Sequence, residues 1–536
     1  MRREVEDVPE LLQHIQSRLA VKEAARTSLL SKSWLHAWST IPTLRIHVLK
    51  NPKRKSMKLV DVDHTLIRYL HDNTPIEKFE LVIDIENQES ASHAEKWIRP
   101  VATKTCLKEF SLSVMLYGAP FRLPNEILSG LNLTKIRVSS RLKIHSVVWM
   151  TTTTTTTTTP PIDVIKCLSL RELHLDGVCI SEEALNHILS SCTFLEKIEL
   201  LHSCEGFKTI KVKNLDRLYE LRISFGNTNN GYRHSTSTTA LEISDVPNLG
   251  VFSCNLHFPF KSHSISLGSS VTQLMFGGVV ITDNASLDII KSGFPFLESL
   301  TLDDMSSWML KSFRFTSASI KRLTLQLCPC TLIDIQVHAP KLLFFRFDGS
   351  ALPNLCIPVS STLEQINISL RLHLAVDAYF FLKMREALAL SHEAEIRITT
   401  FNSKPLLDVD MDELRTRLLS PPATNVQKLS FETWKDECLW ERSPFFDAIL
   451  EICHPKLVFA QPDMQFSHSN HFCRLMLREV LEKKTTTTPL YWPHYLKHVQ
   501  IRQSPYQTWK TLTNSHRSFL DGSAPDVYMY FKLTWC

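Results

Sequence analysis

His468-Ser-Asn-His471-Phe-Cys473 comes nearest in this chain to a metal-binding cluster. Imidazole and thiolate are zinc ligands, but no fourth ligand stands nearby, so a loop followed by an ordinary helix is expected. Asp408, Asp410, Asp412 and Glu413 gather carboxylates as a calcium loop would. They lack the glycine and the spacing of a calcium cage, and a solvated helix start favoured by the helix dipole is expected instead. Cys328 and Cys330 flank a single proline, which is not a structural zinc spacing. The signatures Gly-x-x-x-x-Gly-Lys-Ser/Thr, Gly-x-Gly-x-x-Gly, His-Glu-x-x-His and Gly-x-Ser-x-Gly are all missing. With 13 glycines in 536 residues, phosphate cradles are disfavoured from the start. The expectation is a non-enzyme with no catalytic residue, no metal and no cofactor.

What remains is chemistry of surfaces. Leu12, Ile15 and Leu19 fall at i, i+3 and i+7, the stripe of an amphipathic helix, with Pro9 suited to its first turn. Ala25 and Leu29 make a second stripe. Ser31 is placed to N-cap a third helix carrying Trp34 and Trp38 at i, i+4. Three short helices bury too little surface to be secure alone, so a partner is expected to cover them. Trp34 is assigned mainly to their core, and Leu12, Ile15, Leu29 and Leu30 mainly to an interface. Trp308, Trp434, Trp440, Trp492 and Trp509 can anchor a binding surface or fill a core equally well.

The stretch from about Val8 to Trp38, above all Leu29-Leu-Ser-Lys-Ser-Trp34, resembles the F-box. Two departures stand out. Typical members carry one more residue between the proline and the leucine pair, and Gln16 sits where many are apolar. The resemblance implies docking on the Skp-like linker subunit of a cullin–RING ubiquitin ligase. The candidate contacts are Pro9, Leu11, Leu12, Ile15, Leu19, Leu29, Leu30 and Trp34.

After residue 75 one pattern keeps returning: apolar, two of anything, apolar, one of anything, apolar. It begins at Ile76 and Leu107 and recurs at Leu133, Leu170, Leu195, Leu218, Leu249, Val271, Leu297, Ile320, Leu342 and Leu363, with weaker copies at Val426 and Leu496. From Leu170 to Leu363 most intervals lie in the window of leucine-rich repeats. Each copy predicts a short strand whose alternate residues point inward, and stacked copies share one core. Ile243-Ser-Asp-Val-Pro247-Asn-Leu249 and Ile335-Gln-Val-His-Ala-Pro340-Lys-Leu342 predict extended segments on the convex side as well. Helices are expected in only some repeats, at 91–103, 182–191 and about 376–390.

Ser169-Leu-Arg-Glu-Leu-His-Leu-Asp-Gly-Val-Cys-Ile-Ser181 and Ile452-Cys-His-Pro-Lys456 resemble the plant F-box proteins with leucine-rich repeats. The fold class expected is α/β. A three-helix F-box at 5–49 precedes a basic linker at 50–75 holding Lys53-Arg54-Lys55. A curved solenoid of short parallel strands, with irregular helices on its convex side, fills 76–375. It is interrupted by the threonine and proline tract at 151–161, with lesser polar insertions at 227–231 and 235–239. Degenerate strands and helices fill 376–536, with a second threonine run at 485–488.

A formal charge of +5 on 536 residues argues neither for nor against nucleic acid, and no nucleic-acid partner is expected. No run of about 18 apolar residues predicts a membrane span. The 13 cysteines, unpatterned, are expected as free thiols in a reducing compartment, the cytoplasm or nucleus. The resemblance implies the substrate-recognition subunit of an SCF-type ligase. Its partners are the Skp-like subunit, through it a cullin, and an unidentified protein substrate on the repeat surface. The second reading is a ligase-independent leucine-rich-repeat scaffold with a degenerate F-box.

Overall fold

A residue in every second place of each repeat is apolar, and in a strand those residues share one face. The computed structural model shows the outcome. It describes residues 9–19, 23, 26–50, 57, 59–71, 74–104, 106–117, 120–140, 147–149, 165–202, 209–224, 240–255, 270–278, 284–303, 311–327, 332–358, 363–372, 376–400, 409–433, 444–460, 469–481, 492–504, 506–519 and 529–536. The threonine runs, the two polar insertions, Lys53-Arg54-Lys55, Cys328, Cys330, Trp308, Trp434 and Trp440 lie outside these. The chain forms two units, Met1–Val271 and Thr272–Cys536.

In the first unit, Thr43–Val48, Lys78–Ile85, Glu109–Leu116, Lys135–Ser140, Glu172–Asp176, Lys197–Leu201, Glu220–Ser224 and Val251–Asn255 pair in parallel in chain order. Phe79, Leu81 and Ile83 stack against Phe110, Leu112 and Val114, and all are buried. A second layer of extended segments is also parallel: Phe121–Arg122, Val147–Trp149 and Val178–Ile180 in one sheet, Thr209–Lys213 and Ala240–Ser244 in another. This matches the extended segments expected opposite the main ladder.

Sharp corners separate the two layers. Gly177 (φ 67°) and His202 (φ 49°) each end a strand of the main ladder in the left-handed region. A side chain at Gly177 would press on Ser140 Cβ at 3.0 Å, so glycine answers both demands there. Asn214 (φ 56°) and Asp245 (φ 57°) end the outer strands, and both types tolerate that conformation best among residues with a side chain.

Helices fill some of the crossings. Gln88–Ala102 begins in a capping box between Asn87 and Ser90 and buries Trp97. The Trp97 indole N–H donates to Asp63 Oδ1 at 2.7 Å, and this bond holds the Asp63 carboxyl below the usual range. Asp63 belongs to a helix, Leu59–His71, where a linker was expected. Val62, Leu66 and Tyr69 at i, i+4 and i+7 are its buried face, and Tyr69 Oη donates to Ile41 O at 3.3 Å. Thr43–Val48, assigned to the F-box by sequence, is the first strand of the ladder.

In the second unit the parallel ladder runs Gln273–Gly277, Ser299–Asp303, Arg322–Leu327, Phe344–Gly349, Gln365–Leu372, Glu393–Thr400, Val426–Thr433 and Leu457–Ala460. Ser312–Thr316, Asp334–His338 and Asn354–Cys356 form its outer layer. The regular part therefore continues past residue 375, where the sequence reading ended it. Helix Ala378–Leu388 is one more crossing, not a terminus. The ladder closes with antiparallel strands: Tyr530–Trp535 pairs with both Leu457–Ala460 and Leu496–Arg502. The copy at Leu496 thus runs in the direction of the ladder, and Tyr530–Trp535, inserted between it and Leu457–Ala460, is the strand of opposite direction.

Candidate protein-binding site

The N-terminal segment offers the first surface. Helix α1 (Pro9–Arg18) starts at the proline, whose missing N–H costs nothing there. Helix α2 (Lys32–Ser39) is capped by Ser31, extended at φ −159°, whose hydroxyl accepts from Trp34 N–H at 3.3 Å. The helical stretch ending at Thr27 turns through Leu29 and Leu30, whose N–H groups donate to Arg26 O and Thr27 O. Ala25 lies outside the described residues.

Leu12 and Ala37 are fully buried, Leu12 on α1 and Ala37 on α2. This corrects one assignment: Leu12 is core, not interface. Gln16, one turn on, shares its burial and explains the polar departure from the F-box pattern. Its Nε2 donates to Thr27 Oγ1 at 2.9 Å and to Trp34 O at 3.1 Å, tying α1 to the turn and to α2. Gln13 Nε2 donates to Thr40 Oγ1 at 2.7 Å and fastens the other end.

Outside that seam the surface is apolar and open. Leu29 is 84% exposed, Leu30 66%, Leu35 50% and Leu11 41%. Ile15, Leu19, Trp34 and Trp38 are half-buried, and Pro9 is exposed. Leu35 was missed because it stands off the Trp34–Trp38 stripe. A leucine displaced from the core stripe of a short helix was the available signal.

The solvent face of the first unit's ladder is a second surface. One cross-strand row reads Lys78, Glu109, Lys135, Glu172, Lys197, Glu220. Lys78 pairs with Glu109 at 2.6 Å, Lys135 with Glu172, and Lys197 with Glu220 at 3.0 Å. In the next row His174 Nδ1 lies 2.7 Å from Glu199 Oε2. Burial pushes the Glu199 carboxyl up, but His174 and Lys197 outweigh it and the net shift is downward. The face neutralises itself.

The chemical candidates resolve plainly. Asp410 caps helix Met411–Arg417 by accepting from the N–H groups of Asp412 and Glu413 at 3.0 and 2.9 Å, the helix start expected. His468 lies outside the described residues, and Cys473 is buried on helix Ser469–Leu481 with its thiol pushed up to about 12 by burial. No cluster of three metal-ligating side chains occurs among the described residues. The nine described cysteines form no disulfide; Cys167 and Cys192 face each other at 3.9 Å in the core, one repeat apart. Trp492 is buried, its indole N–H donating to Asp447 Oδ1 at 2.7 Å, so it fills a core. No described helix is long and apolar enough to cross a membrane.

Parallel strands that begin 21 to 37 residues apart, most of them within about 20 to 29, with an outer extended layer, are the leucine-rich-repeat arrangement. A family model described as "At1g61320/AtMIF1, LRR domain" matches residues 67–230. Among Arabidopsis thaliana relatives, putative F-box/LRR-repeat protein At3g18150 is 27% identical over 215 residues, 40% of each chain. F-box/LRR-repeat protein At2g42720 is 28% identical over 200 residues, 36% of this chain and 41% of the relative. F-box/LRR-repeat protein At5g02910 is 25% identical over 359 residues, 61% and 72%. The chain is similar to plant F-box/LRR-repeat proteins. It spans about two fifths of the length of the first two of these. The match at 67–230 covers the first unit from helix Leu59–His71 through strand Glu220–Ser224, and the alternating ion-pair row lies inside it.

Proposed function

We propose that this chain is the substrate-recognition subunit of an SCF-type ubiquitin ligase. Its N-terminal helices dock on a Skp-like linker subunit, and through it on a cullin, while the repeat ladder holds a protein target. The observation that supports this best is the open leucine surface of the helix pair, Leu11, Leu29, Leu30 and Leu35, beside a seam already sealed by Leu12, Gln16 and Ala37. Apolar area of this kind gains by burial against a partner. Such a receptor does no bond chemistry. It raises the effective concentration of a target lysine beside a loaded conjugating enzyme.

Leu29 and Leu30 are so exposed that aspartate at both positions leaves the fold intact. In the docked state the same charges would be desolvated, which costs several kcal/mol and abolishes micromolar binding. The expected result of co-purification with a Skp-like subunit is capture by the native chain and none by the Leu29→Asp, Leu30→Asp variant of unchanged thermal stability. Equal capture by both removes the ligase reading and leaves a repeat scaffold.

A further inference from the structure

One charge on the solvent face of the first ladder is left over. Beside the lysine–glutamate row and the His174–Glu199 pair, Arg45 pairs with Glu80 at 3.3 Å and Arg222 with Glu220 at 2.6 Å. Asp176 lies 2.8 Å from His202, and Asp84 accepts from the Lys50 backbone N–H at 2.8 Å. Among the described residues, Arg137 alone of the lysines, arginines and carboxylates on these strands has a side chain with no ion pair and no hydrogen bond. It sits on Lys135–Ser140, the fourth strand of the ladder, opposite Ser111 on one side and His174 on the other. Ile136 and Val138 are buried, so Arg137 between them points away from the core, and it is exposed. Ser113 and Ser139 face each other in the adjoining row. Ser111, Ser113 and Ser139 are half-buried, and Ser113 Oγ is shielded from solvent without a hydrogen-bond partner among the described residues.

We infer that Arg137 anchors a carboxylate side chain of the protein held on the first ladder. Charge complementarity supports this occupant. The other charges of the face are already engaged, and one unengaged guanidinium offers a planar fork that a carboxylate matches charge for charge. A phosphorylated side chain brings close to two negative charges against this single cation. A nucleic-acid backbone or an anionic membrane needs a run of unengaged cations, and these strands supply one. The three serines are small enough to leave room beside the guanidinium, and their hydroxyls add donors for the same carboxylate. Engaged pairs around a central arginine are the arrangement of an interface hot spot, where near-neutral neighbours keep water out. The inference rests on the proposed target-holding role of the ladder and names the group that a target must present. It needs no linker subunit, so its failure and that of the ligase reading are separable.

Displayed random peptides selected on the full chain, then measured singly by fluorescence anisotropy, test it. Peptides with a fixed Asp or Glu are expected. Arg137→Ala weakens them about tenfold, and selection on Arg137→Glu yields Lys or Arg at the fixed position. Arg137 is exposed and unengaged, so both variants keep the native thermal unfolding. Arg314→Ala removes the same charge from an exposed position on Ser312–Thr316 and leaves affinity unchanged. The Leu29→Asp, Leu30→Asp variant binds the peptides as the native chain does, so linker capture and peptide binding are read separately. Selected peptides without a fixed acidic position, native affinity in Arg137→Ala, equal weakening by Arg314→Ala, or tighter binding when phosphoserine replaces the fixed acid overturns the inference.

Discussion

Gln16 shows how one polar side chain can hold an apolar seam together. Its amide N–H₂ supplies two bonds, one to the turn and one to the backbone of α2. Gln16→Leu would restore the apolar type common in F-boxes, yet it leaves Trp34 O without that donor. The expected outcome is a loss of about 1–3 kcal/mol, read from chemical denaturation of the full chain. A gain in stability would show that the two bonds contribute nothing net. The sequence placed Gln16 as an irregularity but not as a tether. Its partners lie 11 and 18 residues away, and only the packed helices bring them together. Leu12 was misread for a related reason. On so short a helix, Leu12 with Gln16 and Leu11 with Ile15 define neighbouring stripes, and choosing between them needs the position of α2.

The closing strands carry a titratable element. His454 stacks on Trp535 with centroids 4.0 Å apart and planes nearly parallel. Burial lowers its pKa below the ordinary imidazole value. A base depressed in the folded state stays neutral while its unfolded counterpart takes up a proton. Stability is therefore full above about pH 6.5 and falls as pH drops toward the lower folded value. His454→Phe keeps a ring over Trp535 and removes the titration. Thermal unfolding between pH 7 and pH 5, each value approximate, is expected to be flatter in that variant. An unchanged pH slope would assign the effect elsewhere. At this scale the strands with the repeat pattern were legible in the sequence, since Leu170 through Leu363 each introduce a buried strand or its first turn. Glu393–Thr400 and Leu457–Ala460 were not, because neither follows the full leucine spacing. Their neighbours in the ladder supply the register that their own residues leave open.

Stacked repeats touch mainly their neighbours, so stability propagates along the chain rather than through one central core. Phe345 is fully buried between Leu323 and Ile366 on the flanking strands. Phe345→Ala is expected to cost about 3–5 kcal/mol. In hydrogen exchange, protection should fall first in Arg322–Leu327 and Gln365–Leu372, with the strands of the first unit unaffected. Uniform loss across both units would mean a single cooperative block. The repeat class was readable because its period is long and often restated. Where the class places partners was not, since an exposed side chain such as Arg137 obeys no periodicity.

The row from Lys78 to Glu220 has a period of two repeats, although the fold has a period of one. Losing the single repeat that carries Lys135 would bring Glu109 beside Glu172, and duplicating it would set lysine against lysine. Copy number in this stretch can therefore change without electrostatic penalty only in pairs, and lineages that gain or drop repeats here should do so two at a time.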